Sequence, residues 1–210
     1  DGEARRGKDW LAFVERNRDR ELLTLAEYEM CLALQKAVRD DVVARQYITG
    51  GHGEVTLLWT HAVEGQGVNS YRLGCKGRID FDTRTGIADL KTTRDASPEA
   101  FRRLSWSYGY HVSAAWYADG YARANKCEPP PFRIVAVEKQ PPWNVVVYRV
   151  NEKLMRLGRQ KYSQWMDRLA FCRETSRWPG YAETEVELEP PAWVEPDDDI
   201  EALDLEVGGR

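Results

Sequence analysis

Nothing in this sequence provides for a zinc cluster, a disulfide framework or a bilayer. The four cysteines, Cys31, Cys75, Cys127 and Cys172, lie far apart and form no CxxC pair. That spacing excludes the common structural zinc sites and points to a reducing cytoplasm. No run of 18 apolar residues occurs, so no membrane-spanning helix and no membrane partner is expected. The first residues, DGEARRGKDW, lack the apolar stretch of a signal peptide. They also lack an initiator Met, which is what a fragment of a longer protein would show. There is no internal repeat, and neither sign of charge is in large excess. A net charge of −4 argues against wholesale binding of polyanions but leaves room for a local basic groove.

What is present is a core-forming chain with many aromatics, 10 tyrosines and 8 tryptophans among 210 residues. That length suits one domain with a tail. Residues 1–193 are assigned to the domain. Residues 194–210, ending in EPDDDIEALDLEVGGR, read as an acidic, disordered tail. Trp10, Leu11, Phe13 and Val14 suit a short docking helix. Thr24 and Glu27 form a capping box, and apolar residues at helical spacing predict a helix over 25–46, ended by Gly50 and Gly51. Strands are predicted at 54–60, 71–81 and 87–92, with a polar turn over 61–69 and a tight hairpin at 82–86. Ser97-Pro98-Glu99 marks a helix start. Helices follow to about 107 and over 109–125, then strands at 132–137 and 145–150, then a helix capped by Asn151 and ending near 175. The order α-β-β-β-α-β predicts an α/β fold with a mixed sheet flanked by helices.

The chemistry concentrates in Lys76-Gly77-Arg78-Ile79-Asp80 and, nine residues beyond Asp80, Asp89-Leu90-Lys91-Thr92-Thr93. Residues two apart on a strand share a face, so Asp89 and Lys91 point the same way and Leu90 points into the core. The hairpin brings Asp80 alongside. Two carboxylates suit a hard divalent cation, Mg²⁺ with Mn²⁺ as substitute, and the Leu90 carbonyl is a third oxygen donor. A cation there polarises a phosphate and acidifies water. Lys91 orients or deprotonates that water and offsets phosphate charge. The same residues also fit a surface ladder of charge pairs that merely stabilises a hairpin.

GRIDF, IADLKTTRDASPEAF and YGYHVSAAWY, together with GEVTLLW, AVEKQPP and the late WPGY, resemble the nuclease domain of the RecE (exonuclease VIII) family. The resemblance spans roughly residues 20–193. It implies a PD-(D/E)XK, restriction-endonuclease-like core, also found in lambda exonuclease and RecB. Asp80 and Asp89 are then metal ligands, Lys91 the catalytic lysine and Tyr117 a site tyrosine. The implied activity is 5′→3′ degradation of one strand at double-stranded DNA ends. The implied partners are a single-strand annealing protein and further copies of the chain in a ring. Ser113 stands where the family has glutamine, and the family's metal-binding histidine lies upstream of Asp1. Two other functions fit the same residues: a catalytically weak DNA-end-binding or assembly subunit, and a structure-specific endonuclease.

Other residues carry weaker expectations. Tyr110, Ser113, Ala114 and Tyr117 share one helix face, which serves either the core or the site. Arg78 is expected on Asp80's face, against phosphate or a carboxylate. Glu54 is a candidate accessory carboxylate. Thr92 and Thr93 suit phosphate contact or simple strand propensity. Arg94, Arg102 and Arg103 with Lys91 suggest a basic patch. His111 reads as a packing residue, His61 as an exposed turn residue, and His52 as no substitute for the family's histidine.

Overall fold

The structure is a computed structural model that describes residues 6–63 and 71–189. The acidic tail and most of the predicted 61–69 turn lie outside the described residues. The elements run α1 (Lys8–Arg16), α2 (Leu25–Asp40), α3 (Arg45–Ile48), β1 (His52–Val63), β2 (Tyr71–Thr83) and β3 (Gly86–Thr93). They continue with α4 (Pro98–Ser107), α5 (Tyr110–Asn125), β4 (Phe132–Glu138), β5 (Val145–Arg149) and α6 (Glu152–Thr175).

Local chemistry accounts for most boundaries. The Glu27 amide donates to Thr24 Oγ1 at 3.1 Å while the Thr24 amide donates to Glu27 Oε2 at 2.7 Å, a complete capping box. The predicted helix to residue 46 is shorter than expected. Asp41 interrupts it because its carboxylate accepts from the amides of Val43 and Ala44 and starts a new turn. Ser97 sits at the N-cap of α4, but its hydroxyl caps nothing. Its own amide donates instead to Asp95 Oδ1 at 2.7 Å. Asn151 Oδ1 accepts from the Leu154 amide at 2.9 Å and starts α6.

The five strands form one sheet in the order β1-β2-β3-β4-β5. The first three are an antiparallel meander, β4 runs parallel to β3, and β5 returns antiparallel. The β3–β4 connection carries α4 and α5, as a parallel pairing requires. One face of the sheet buries Ile79, Ile87, Ile134 and Ala136 with the α5 alanines and Met155 and Tyr162 of α6. On the other, Val38 and Ala44 cover Ala88, Val135 and Val137.

The sheet changes phase where the chemistry is. Upstream on β2, Leu73 and Ile79 face α5. Beyond, Phe81 packs with the opposite cluster and Asp82 accepts from the Tyr121 hydroxyl of α5. Odd-numbered residues thus give way to even-numbered ones across Ile79–Asp80. Opposite that point on β1, Glu54 has a left-handed φ of 54°, between the paired residues Gly53 and Val55. One residue of irregular backbone rotates the strand end. It turns Asp80 toward α5 and leaves Arg78 on the other side, so Arg78 and Asp80 do not share a face as expected.

Candidate active site

β2 and β3 pair from Thr83–Gly86 only as far as Phe81–Ala88. Past that point the ladder opens, and the Leu90 amide donates to the Asp80 side chain, Oδ2, at 2.8 Å. A carboxylate replaces the missing backbone acceptor and satisfies the amide. β4 supports the other edge of β3, with Asp89 opposite Ile134 and Lys91 opposite Ala136. The mouth between two splayed strands therefore holds Asp80, while Asp89 and Lys91 sit on a continuous ladder.

Asp89 is 6% exposed, and its Oδ2 forms an ion pair with Lys91 Nζ. Burial pushes the Asp89 carboxyl above its ordinary value, the Lys91 bond and charge pull it back, and Asp80 pushes it up again. Burial works against the Lys91 ammonium, but the Asp89 hydrogen bond and charge, with Asp80 and Tyr110 adding, hold it above the usual lysine value. Two carboxylates against one ammonium leave the cluster one negative charge in excess.

α5 closes the site from above. The Tyr110 ring centroid lies 5.4 Å from Lys91 Nζ, within cation–π range. Tyr117 lies two helical turns further along the same face of α5. Burial raises its phenol, Asp89 raises it further, Lys91 pulls it down, and Asp80 adds a smaller rise. Gly77 makes room for it, since a Cβ there would stand 3.0 Å from two Tyr117 ring carbons. Ala114, between the two tyrosines on this face, is wholly buried, whereas Ser113 is exposed. Tyr110 and Tyr117 thus sit beside the carboxylate–lysine cluster, and Ser113 looks onto a neighbouring cleft.

Other candidates sit elsewhere. Arg78 Nε pairs with Glu54 Oε2 at 2.8 Å on the outer surface, so each occupies the other. Leu90, expected in the core, is 42% exposed. Its face of β3 is covered at Ala88, and the cover ends before Leu90. Thr92 is exposed. Thr93 is buried and its hydroxyl donates to the Asp95 carbonyl at 3.0 Å, closing the turn into α4. Arg94 is exposed, as are Arg102 and Arg103 on α4; Arg103 pairs with Glu99. His52 opens β1 and is exposed. His61 was expected on an exposed turn but lies buried in β1, because the strand runs on to Val63 and carries it under Trp116 and Tyr162. His111 packs face to face with Trp106 at 4.5 Å, as a packing residue should. Tyr108, not among the residues expected at the site, stacks its ring on Tyr110 at 5.8 Å. The alternating Trp106, Tyr108, Tyr110 run was its signal, but it falls in a helix–helix junction where strand alternation has no meaning.

The profile of the PDDEXK-like domain of unknown function (DUF3799) matches residues 8–188. The chain belongs to this family. The PDDEXK-like assignment agrees with the mixed α/β sheet and with the α/β fold expected from the sequence. A solved structure of a candidate exonuclease from Eubacterium rectale aligns with a TM-score of 0.57 at 16% identity, covering 86% of this chain and 70% of that one. At that identity the likeness speaks for the fold alone. The structure of SSO0001 aligns at 17% identity over 64% of this chain and 56% of that one, with a TM-score of 0.33, and supports no argument. No curated protein matches the sequence. The family assignment reaches PDDEXK-like and stops short of the RecE branch. No described helix is long and apolar enough to cross a membrane.

Two carboxylates with a nearby backbone carbonyl, as Asp80, Asp89 and Leu90 offer, are donors of the kind a hard divalent cation takes. Among the described residues no group of three or more His, Cys, Asp or Glu is arranged to hold a metal ion through protein side chains alone. Mg²⁺ is commonly held by one or two carboxylates, its remaining positions filled by water and substrate phosphate. Asp80 and Asp89 supply that number, and their mutual repulsion supplies the reason.

Proposed function

We propose that this protein is a divalent-metal-dependent deoxyribonuclease. It acts as an exonuclease that degrades one strand from double-stranded DNA ends, 5′→3′, and leaves 3′ single strands for phage-type recombination. The observation that carries this reading is the convergence of Asp80, Asp89 and Lys91 at the mouth where β2 and β3 part. The polarity and the recombination role rest on the resemblance to the RecE family, and so do an annealing partner and a ring of copies. The name of the Eubacterium rectale protein points the same way.

Asp80 and Asp89 would hold Mg²⁺ or Mn²⁺ with the Leu90 carbonyl as a further oxygen. When bound, the cation supplies Lewis acidity for the scissile phosphate and lowers the pKa of water. Lys91, fixed by Asp89, offsets charge on the phosphate and orients the attacking water. Water forms the new P–O bond, the ester P–O bond breaks, and the departing 3′ oxygen takes a proton. Tyr110 and Tyr117 wall the site and exclude bulk solvent.

A second reading has its own support. The metal set is two carboxylates, and Ser113 is too short to reach the site as the family's glutamine does. A weakly active DNA-end-binding subunit would look like this. Cleavage of 5′- and 3′-labelled duplexes across Mg²⁺ and Mn²⁺ concentrations decides between them. The exonuclease releases the 5′ label first and needs metal. Release of the 3′ label first overturns the polarity, internal cuts indicate an endonuclease, and end binding without any cleavage leaves the second reading.

A further inference from the structure

A groove begins beside Tyr117, at the edge of the site, and follows the seam between the α4–α5 junction and α6. It is built of three cavities that share walls. One of about 300 Å³ holds Tyr117, Ser113 and Lys76 and is bounded by Val112 and Trp165. The next, about 550 Å³, shares Val112 and Trp165 and adds Trp106, Tyr108 and Lys161. The last, about 770 Å³, shares Trp106 and His111 and adds Arg102, Arg103 and Lys153. Close packing of the two helices sets its floor. Gly158 of α6 approaches so near that a Cβ there would stand 2.1 Å from the His111 carbonyl oxygen.

Two properties of the lining stand together. Its fully charged residues are all cationic: Lys76, Arg102, Arg103, Lys153 and Lys161, with no Asp or Glu in any of the three walls. The chain as a whole has 34 acidic against 30 basic residues, so this segregation is local. The second property is a set of large rings left in solvent, Trp106 at 56%, Tyr108 at 69% and Trp165 at 53% exposure. Each is held rather than loose. Trp106 lies flat on His111, Tyr108 stacks on Tyr110, and the Lys161 ammonium sits 5.7 Å from the Trp165 ring centroid. Tyr110 in turn lies over Lys91, so the aromatic line ends at the reacting groups.

We propose that this groove carries a single strand of DNA to or from the carboxylates, with bases stacked on Trp106, Tyr108 and Trp165 and phosphates beside Lys161, Lys153 and Arg102. Rings with cations between them match a strand whose base faces are open. A duplex hides those faces and offers only its phosphates. This deepens the nuclease reading and rests on it.

The test uses the full chain with metal chelated, so that no cleavage occurs. The probes are a labelled oligothymidylate of roughly 16 nucleotides and a blunt duplex of equal length. The oligothymidylate should quench tryptophan fluorescence on binding. Trp106→Ala and Trp165→Ala should each weaken its binding about tenfold, and the Phe variants should recover most of the loss. Lys153→Gln with Lys161→Gln should weaken binding and flatten its salt dependence. In the Trp variants duplex-end affinity should change by less than about twofold, because stacking contributes nothing there. Unchanged single-strand affinity, equal losses on both probes, or Phe variants as weak as Ala would overturn the groove. Melting curves check that the variants fold, and if the Ala variants do not, the fluorescence quenching and the paired Lys153→Gln, Lys161→Gln variant decide. A chain that cleaves DNA but shows no ring dependence disproves the groove alone. A chain that binds single strands through these rings yet cleaves nothing disproves the nuclease reading alone.

Discussion

Two buried aspartates under the same helix layer have opposite fates. Asp119 of α5 is saturated. Arg159 Nε reaches both of its oxygens at 3.1 and 3.0 Å, Arg159 Nη2 donates at 3.0 Å and the Tyr162 hydroxyl at 2.5 Å. Burial and that hydrogen bond push the Tyr162 phenol up to about 12. Asp89 of β3 is as deeply buried, yet its partner is one lysine, and a second carboxylate stands beside it. The first cluster has exhausted its hydrogen-bonding capacity and can only hold α5 to α6. The second retains lone pairs and net negative charge, the state in which a cation and a phosphate find places. A buried acid therefore signals function by what it leaves unsatisfied more than by its burial.

Five substitutions would break or sharpen this contrast. The largest effect belongs to Asp89→Asn, which should lower cleavage about 10³-fold or more, since several kcal/mol of charge stabilisation are removed. Its melting temperature should not fall, because the change also relieves repulsion with Asp80. Unchanged turnover, or marked destabilisation, would put Asp89 in the same class as Asp119. Asp119→Ala should do the reverse and cost about 2–3 kcal/mol of stability by denaturant titration, with turnover per folded molecule preserved. That is below the range for a fully buried pair, because Arg159 is about one-third exposed and keeps its 3.2 Å contact with Glu152. Lys91→Ala should reduce turnover by ~10²-fold with far less effect on duplex affinity. Losses in equal proportion would make Lys91 a phosphate anchor only. The smallest effects belong to α5. Ser113→Gln should raise the cleavage rate a few-fold and Tyr117→Phe should lower it modestly. Neutrality of both would assign that helix face to packing.

Much of the architecture was written locally. The Thr24–Glu27 capping box, Pro98 at a helix start, the Asn151 cap and the alternating strand residues each act through neighbours within a few positions, so they could be read in order along the chain. The nine-residue interval from Asp80 to Asp89 likewise follows from the length of a tight hairpin. What the chain order could not show depended on partners distant in sequence. Arg78 lost Asp80's face because Glu54, on another strand, adopts left-handed backbone opposite it. Leu90 stayed in solvent because the helices beneath the sheet end short of it, and His61 was buried because α5 and α6 arrive above it. The segregation of Lys76, Arg102, Lys153 and Lys161 into one acid-free groove was likewise beyond a reading of composition. Net charge sums the whole surface, and only packing decides which charges meet.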